Sequence, residues 1–290
     1  MNQPALRIEG LRKRFRNFEL GPVSLRVPTG AIYGYIGPNG AGKTTTIDLI
    51  MGMGQKDAGL IEVFGLDHEK DEVAVKKQVG YVSPDLTFNA WGKVGRLIRF
   101  YRSFYPDWDD AYCEELLKRL KVGWDERIRT LSYGSRMKLS LILALSHRPK
   151  LLLLDEPLAG LDAISKHELF TELMDVVQDE SRTVFISSHN LDDIERFADH
   201  VGMLKDGKLL LEGSTSELVG RYRMVDCTTS NGTVPGTIPG VRVQKQTANR
   251  WRLLLDTSQT STRELSGMGL SEISESPVTL EELFVALVKE

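Results

Sequence analysis

The sequence predicts an α/β protein: a mainly parallel central sheet with an antiparallel β subdomain ahead of it, a helical insertion, and a small α+β appendage at the end. Three observations predict it. Residues 37–45 read GPNGAGKTT, a phosphate-cradling P-loop of the form G-x-x-x-x-G-K-[ST], fed by an apolar strand at 31–36 and followed by a helix pattern in Ile47, Leu49 and Ile50. From residue 131 onward, continuous apolar runs alternate with helical spacings, the signature of strands on a parallel sheet joined by helices. Composition also shifts twice, to aromatics near residue 86 and to Thr, Ser, Gly and Pro near Gly220.

Taken in order, residues 6–27 read as short alternating strands, clearest in Val23, Leu25 and Val27, with breaks at Gly10, Gly21-Pro22 and Pro28-Thr29-Gly30. After the P-loop, strands are expected at 60–64 and 79–82. The stretch 86–122 carries Phe88, Trp91, Phe100, Tyr101, Phe104, Tyr105, Trp108 and Tyr112, with helical spacing in Leu97, Phe100, Tyr101 and Phe104 and again in Leu116, Leu117 and Leu120. This helical insertion extends to about residue 148. Its aromatics suit a core or a docking groove for a partner, where aromatic anchors dominate. An apolar helix then runs to residue 145, and four leucines, 151–154, lead into Asp155-Glu156. A helix at 164–177, a strand at 183–187, a helix at about 191–198 capped by Asn190, and a hairpin turning on Asp206-Gly207 complete the first domain, residues 1–220. Residues 221–290 read as an accessory domain with strands at 241–243 and 251–255. Its last helix begins at the capping box Thr279-Leu280-Glu281-Glu282.

Composition narrows the function. Over 290 residues, 41% hydrophobic content suffices for a core, while a net charge of −3 gives no electrostatic footprint for nucleic acid. Only Cys113 and Cys227 are present, too few for a disulfide framework or a zinc site, which suits a reducing cytosol. The first residues lack the apolar stretch of a signal peptide, and no run approaches the roughly 18 apolar residues of a membrane span.

The chemistry lies at strand ends. Glycines let backbone N–H groups close around phosphates at a helix N-terminus, Lys43 would reach the β and γ phosphates, and the Thr44 hydroxyl would bind Mg²⁺. Asp155 and Glu156 stand at the carboxyl end of a buried strand, where ligands sit in open α/β sheets; Asp155 would serve the metal and Glu156 would polarise a water. Ala159-Gly160-Leu161-Asp162 comes next, and Ser187-Ser188-His189 ends the following strand.

P-loop, acidic strand, Leu-Asp loop and strand-terminal His, in that order, resemble the ATP-binding subunits of ABC transporters, and in texture the bacterial ABC-2-type exporters. Leu131-Ser132-Tyr133-Gly134-Ser135 stands where that family has its Leu-Ser-Gly-Gly-Gln signature. The resemblance covers residues 6 to about 220 and implies the P-loop NTPase fold of an ABC-type ATPase. It implies that Phe15 stacks on adenine, with Phe18 competing, and that Gly37, Asn39, Gly40, Ala41, Gly42, Lys43, Thr44 and Thr45 bind ATP. Thr44 and Asp155 would hold Mg²⁺, Glu156 would be the general base, and His189 would contact the γ phosphate. Two such domains face each other in the family, so Ser132 and Gly134 would complete the partner's site and Asp162 would couple the two. The second domain would come from another copy of this chain in a homodimer, or from a different chain in a heterodimer.

Two departures from the family pattern stand out. Tyr133 and Ser135 replace a Gly and the Gln of the signature, which weakens the expectation of a trans contact. Pro84 occupies the place of a Gln that touches Mg²⁺ and the attacking water and links the site to the membrane subunit; proline has no side-chain donor or acceptor. Asp85 beside it offers an oxygen ligand. The expectation is an ATPase that drives transport, most in keeping with export, through a separate permease docked on the helical insertion at the inner face of the membrane. The alternatives are a soluble ABC-type ATPase in a non-transport role, or a regulatory module that holds ATP without hydrolysing it. The absence of a basic stripe weighs against a nucleic-acid partner.

Overall fold

The computed structural model describes residues 3–180, 182–229 and 238–288. They pack into two compact units, Met1–His189 with Gly202–Glu212, and Asn190–Val201 with Gly213–Glu290. The chain therefore passes into the second unit for one short excursion before it settles there.

In chain order, β1 (Leu6–Arg14) and β2 (Glu19–Val27) pair antiparallel, followed by β3 (Ile32–Ile36), α1 (Lys43–Ile50), β4 (Ala58–Val63), β5 (Leu66–Asp67), α2 (Glu72–Gln78) and β6 (Val79–Val82). The sheet β2-β1-β4-β5 is the antiparallel subdomain. Gly10 and Gly21-Pro22 do not end these strands: Gly10 takes a φ of 59° at a register shift between Ile8 and Leu11, so β1 bulges and continues. The helical insertion holds α3 (Val94–Arg102), α4 (Asp110–Arg119) and α5 (Tyr133–Leu145), and β7 (Leu151–Leu154), α6 (Ala163–Glu180) and β8 (Thr183–Ser188) come after it. Next are α7 (Leu191–Glu195), shorter than its apolar spacing suggests, and the hairpin β9 (His200–Lys205) and β10 (Lys208–Ser214).

The larger sheet has the order β10-β9-β3-β8-β7-β6. Within it β3 runs parallel to β8, β8 to β7, and β7 to β6, with Ile36 opposite Ser188, Leu154 opposite Ile186 and Val82 opposite Leu154. All five residues of β3 and all four of β7 are buried, which is why they read as unbroken apolar runs. This register has a consequence for the site: the loops after Ile36, Val82, Leu154 and Ser188 leave the same edge of the sheet, where α/β proteins hold ligands. A core including Leu6, Leu25, Tyr33, Tyr35, Ile47, Leu153 and Phe185 fixes the strands that present those loops.

The second unit adds α8 (Thr215–Arg221), β11 (Tyr222–Thr229), β12 (Val241–Thr247), β13 (Arg250–Asp256), α9 (Thr262–Gly267), β14 (Leu270–Pro277) and α10 (Leu280–Val288). Its antiparallel sheet, β12-β13-β11-β14, has its own core of Val225, Trp251, Leu253, Leu255, Leu265 and Leu270. The expected capping box exists: Thr279 Oγ1 accepts from Glu282 N at 3.1 Å while Glu282 accepts from Thr279 N at 3.2 Å.

Candidate functional site

The P-loop bends where only glycine fits. A Cβ on Gly37 would lie 2.2 Å from the Leu204 carbonyl oxygen, and Gly42, the N-cap of α1, has a φ of 106°. Asn39, Gly40 and Thr44 are exposed, Ala41 is buried and Thr45 is half-buried. Lys43 is only 5% exposed, and its ammonium donates to the carbonyls of Gly37 at 2.7 Å and Pro38 at 3.1 Å.

That ammonium also lies 3.1 Å from Glu156 Oε1, and Glu156 Oε2 lies 2.8 Å from His189 Nδ1. One carboxylate thus joins the P-loop, the acidic strand end and the strand-terminal His. Glu156 reaches this place with a φ of 44°, a left-handed conformation rare for a residue with a side chain and concentrated at functional sites.

Asp155 is 2% exposed. Its Oδ1 accepts from Ser187 Oγ at 2.6 Å and its carboxylate also from the Thr44 hydroxyl; burial, the dominant effect, lifts its pKa above the ordinary value. The same Ser187 Oγ accepts from Glu156 N at 2.9 Å. Ser187 therefore sets both carboxylate residues at once, a role that sequence pattern did not assign to it. The order acidic pair, then Ser-Ser-His at the end of the next strand, was the available signal, but the contact itself needs β7 beside β8.

The donors suit magnesium. Mg²⁺ takes hard oxygen ligands, one or two from the protein and the rest from phosphates and water; a hydroxyl and a buried carboxylate held by hydroxyl donors are that kind of pair. Among the described residues no group of three His, Cys, Asp or Glu converges as a self-contained metal site. Asp85 is exposed, its N–H donating to Ser83 Oγ at 3.3 Å. Burial raises the pKa of Asp48 on α1, and the charges of Asp155 and Asp85 add to that rise.

Ser132, Gly134 and Asp162 form a separate group. Ser132 caps α5, its Oγ accepting from Ser135 N at 3.1 Å. Asp162 opens α6, accepting from Ser165 N at 2.9 Å and Ser165 Oγ at 2.7 Å. A Cβ on Gly134 would lie 3.0 Å from that same Ser165 Oγ, so the signature and the Leu-Asp loop touch within one chain. Tyr133 lies over Gly160, and burial raises its pKa, with Asp85 and Glu156 adding to the effect. Phe15 is 48% exposed, 6.2 Å from Phe18 between ring centroids, while Phe18 packs on the core and against Gly42.

Comparison with known proteins meets this geometry. A sequence profile of the family described as ABC transporter matches residues 20–159. The ABC transporter ATP-binding protein YtrB of Bacillus subtilis is 35% identical over 206 residues, 71% of this chain and 70% of YtrB. The Nod factor export ATP-binding protein I of Burkholderia lata is 30% identical over 242 residues, 77% of this chain and 78% of that protein. Among solved structures, an ATP-binding cassette of an ABC transporter in its ADP conformation superposes with a TM-score of 0.62 at 26% identity, covering 73% of this chain and 92% of the cassette. With a P-loop, an acidic strand and a strand-terminal His wired together at one sheet edge, the chain belongs to the ATP-binding subunits of ABC transporters, ATPases that hydrolyse ATP to power transport and work as dimers with transmembrane permease subunits.

Proposed function

We propose that this chain drives export: ATP closes a dimer of its first domain, residues 1–220, and hydrolysis at Glu156 reopens it. The observation that carries the reading is Glu156 held between Lys43 at 3.1 Å and His189 at 2.8 Å. When ATP arrives, its β and γ phosphates compete for Lys43, which releases one carboxylate oxygen of Glu156. That oxygen takes the proton of a water attacking the γ phosphorus in line, while His189 steadies the γ phosphate. Thr44 and Asp155 would hold Mg²⁺, which supplies neutralisation of the developing charge on the phosphate oxygens. Phe15, with its exposed ring, suits adenine stacking better than Phe18, whose ring is engaged with the core.

Ser132 and Gly134 complete the second copy's site in a homodimer, with Asp162 linking the two. The permease docks on the helical subdomain, about residues 86–148, and holds the chain at the inner face of the membrane. Supporting this, Phe100 and Phe104 are exposed beside Lys76 and Lys77 around a groove of about 380 Å³, whereas Phe88 and Tyr112 are buried as core. Among the described residues no helix is long and apolar enough to cross a membrane, in keeping with a separate permease. Export is the direction in the name of the Burkholderia relative. Residues 221–290 form the accessory domain.

Glu156→Gln tests the reading. We expect a loss of about 10²- to 10⁴-fold in kcat, together with a doubling of mass by light scattering when ATP and Mg²⁺ are added. An unchanged rate removes Glu156 from the chemistry. A protein that binds ATP and stays monomeric removes the homodimer.

A further inference from the structure

Glu156 stands at the entrance of a tight turn, residues 156–160, in which its carbonyl accepts from the N–H of Ala159 at 3.1 Å. Its φ of 44° is disfavoured for a residue with a side chain and persists only where the surroundings over-determine it. At the entrance that support is visible, since the N–H of Glu156 donates to Ser187 Oγ at 2.9 Å. At the exit stands Gly160 with a φ of 71°, a conformation that glycine adopts freely. The exit therefore has no stiffness of its own and depends on what lies against it.

What lies against it is Tyr133. A Cβ built on Gly160 would meet the ring carbon Cε1 of Tyr133 at 3.6 Å, and among the described residues no other heavy atom outside the chain neighbours comes within 4 Å of that point. Tyr133 is the first residue of α5, directly after the cap Ser132, so its backbone is set by the hydrogen bond from Ser135 N to Ser132 Oγ. The next residue adds a second contact with the same loop: a Cβ on Gly134 would lie 3.6 Å from Leu161 Cδ2 and 3.0 Å from Ser165 Oγ. The phenol is also near the acidic groups of the site. Burial raises its pKa, and the charges of Asp85 and Glu156 add to the rise, which puts both carboxylates within electrostatic reach of the hydroxyl.

We infer that Tyr133 positions Glu156 of its own chain, its ring closing the exit of the turn at Gly160 so that the carboxylate keeps its place between Lys43 and His189. Tyr133 is thus a positioning residue for hydrolysis. The signature segment then has two duties: Ser132 and Gly134 serve the second copy's site, while Tyr133 serves the site of the chain that carries it. The inference rests on the proposed role of Glu156 as the base.

The test measures ATP turnover by the full chain, with Mg²⁺ in excess, for Tyr133→Ala, Tyr133→Phe and Glu156→Gln, each shown by circular dichroism to be folded. Misplacing a reacting group by about 1 Å costs on the order of 10²-fold. We expect Tyr133→Ala to lower kcat about tenfold with KM for ATP within about threefold. Tyr133→Phe, which keeps the ring, should retain most of the rate. Two mixtures then separate the chains of a dimer, each with the Glu156→Gln chain in excess. When Glu156→Gln is mixed with Tyr133→Ala, the intact base sits in the chain without the ring, and turnover should be low. When the double variant Glu156→Gln, Tyr133→Ala is mixed with the wild-type chain, base and ring share a chain, and turnover per intact base should be about tenfold higher. Equal rates in the two mixtures, or the reverse order, overturn the inference. So does a Tyr133→Ala protein with the wild-type kcat, a KM that rises in proportion, or a Tyr133→Phe protein as slow as the alanine variant. In each of those cases a slow Glu156→Gln protein leaves the base in place, whereas a fully active one removes both the base and its positioning residue.

Discussion

Asp155 in the first unit and Asp256 in the second stand at matching places, just past the end of β7 and at the end of β13, and are similarly buried at 2% and 4% exposure. Their electrostatics are opposite. Asp256 takes both guanidinium contacts of Arg221, at 2.8 and 2.5 Å, with further donors from Ser258 and Gln259, and these hold its pKa far below the ordinary carboxylate value. Asp155 has hydroxyls from Ser187 and Thr44, which do not offset burial, and its pKa is raised. A carboxylate saturated with donors is a structural tie. Asp155, the carboxylate proposed to hold Mg²⁺, is instead one whose burial outweighs its hydroxyl donors and the nearby Lys43 charge, and that contrast is what separates the two positions.

The largest effect that breaks this symmetry is expected from Asp155→Asn. It should cost about 10²-fold or more in Mg²⁺-dependent hydrolysis, because several kcal/mol of charge stabilisation depend on the metal. Yet the melting temperature of the apo protein at pH 7 should rise. The sign comes from linkage: a carboxyl whose folded pKa is raised lends stability below its unfolded pKa and loses it as pH climbs through the folded one, so the neutral amide gains most at high pH and the gain shrinks on acidification. A lower melting temperature at pH 7 would show that Asp155 is already compensated without metal.

Asp256→Asn should behave the other way. Facing Arg221 with an amide removes a bidentate ion pair, and the second unit should lose roughly 2–3 kcal/mol, read as a shift of the denaturant midpoint at pH 7. Here the folded pKa is depressed, so the stabilisation is present above the ordinary value of 3.8 and disappears as pH falls through the folded one. The deficit of the variant should therefore narrow below about pH 4. A deficit independent of pH would assign the loss to packing rather than to charge.

The smallest of the three effects sharpens the comparison within the site. Ser187→Ala removes the donor to Asp155 and the acceptor for Glu156 N together. Unpaired buried polar groups cost about 1–3 kcal/mol, and the loss of alignment should lower kcat about tenfold. A variant that keeps its rate would mean that the backbone alone fixes the two carboxylates.

Several of these features were legible in the sequence, and for identifiable reasons. The P-loop is a local motif: glycines at 37 and 42 and a lysine at 43 specify a turn and a charge whatever surrounds them. The four leucines before Asp155 report a strand buried on both faces, and they place the acidic pair at its end. Capping residues were equally local, so Asn190 and Thr279 were found at the starts of α7 and α10. What failed was length and continuity. Gly10 and Gly21-Pro22 look like strand ends, but pairing with neighbouring strands carries β1 and β2 through them. The sequence also left Phe15 and Phe18 as alternatives, because both are aromatic and three residues apart; in the structure Phe15 is exposed while Phe18 packs on the core and near Gly42.

By itself, the sequence determined the family of this protein, since a phosphate loop, an acidic strand end, a Leu-Asp loop and a strand-terminal His are each written as short runs in a fixed order. Tertiary structure decided how they act on one another. Ser187 bridges positions 31 and 32 residues away, Glu156 reaches both Lys43 and His189 through a left-handed turn, and Glu195 meets Leu280 within the second compact unit. The physical reason is range: propensity, capping and burial period are set by neighbours within a turn or two, whereas hydrogen bonds between strands and helices distant in the chain exist only once the sheet register and the helix packing have brought the partners within about 3 Å.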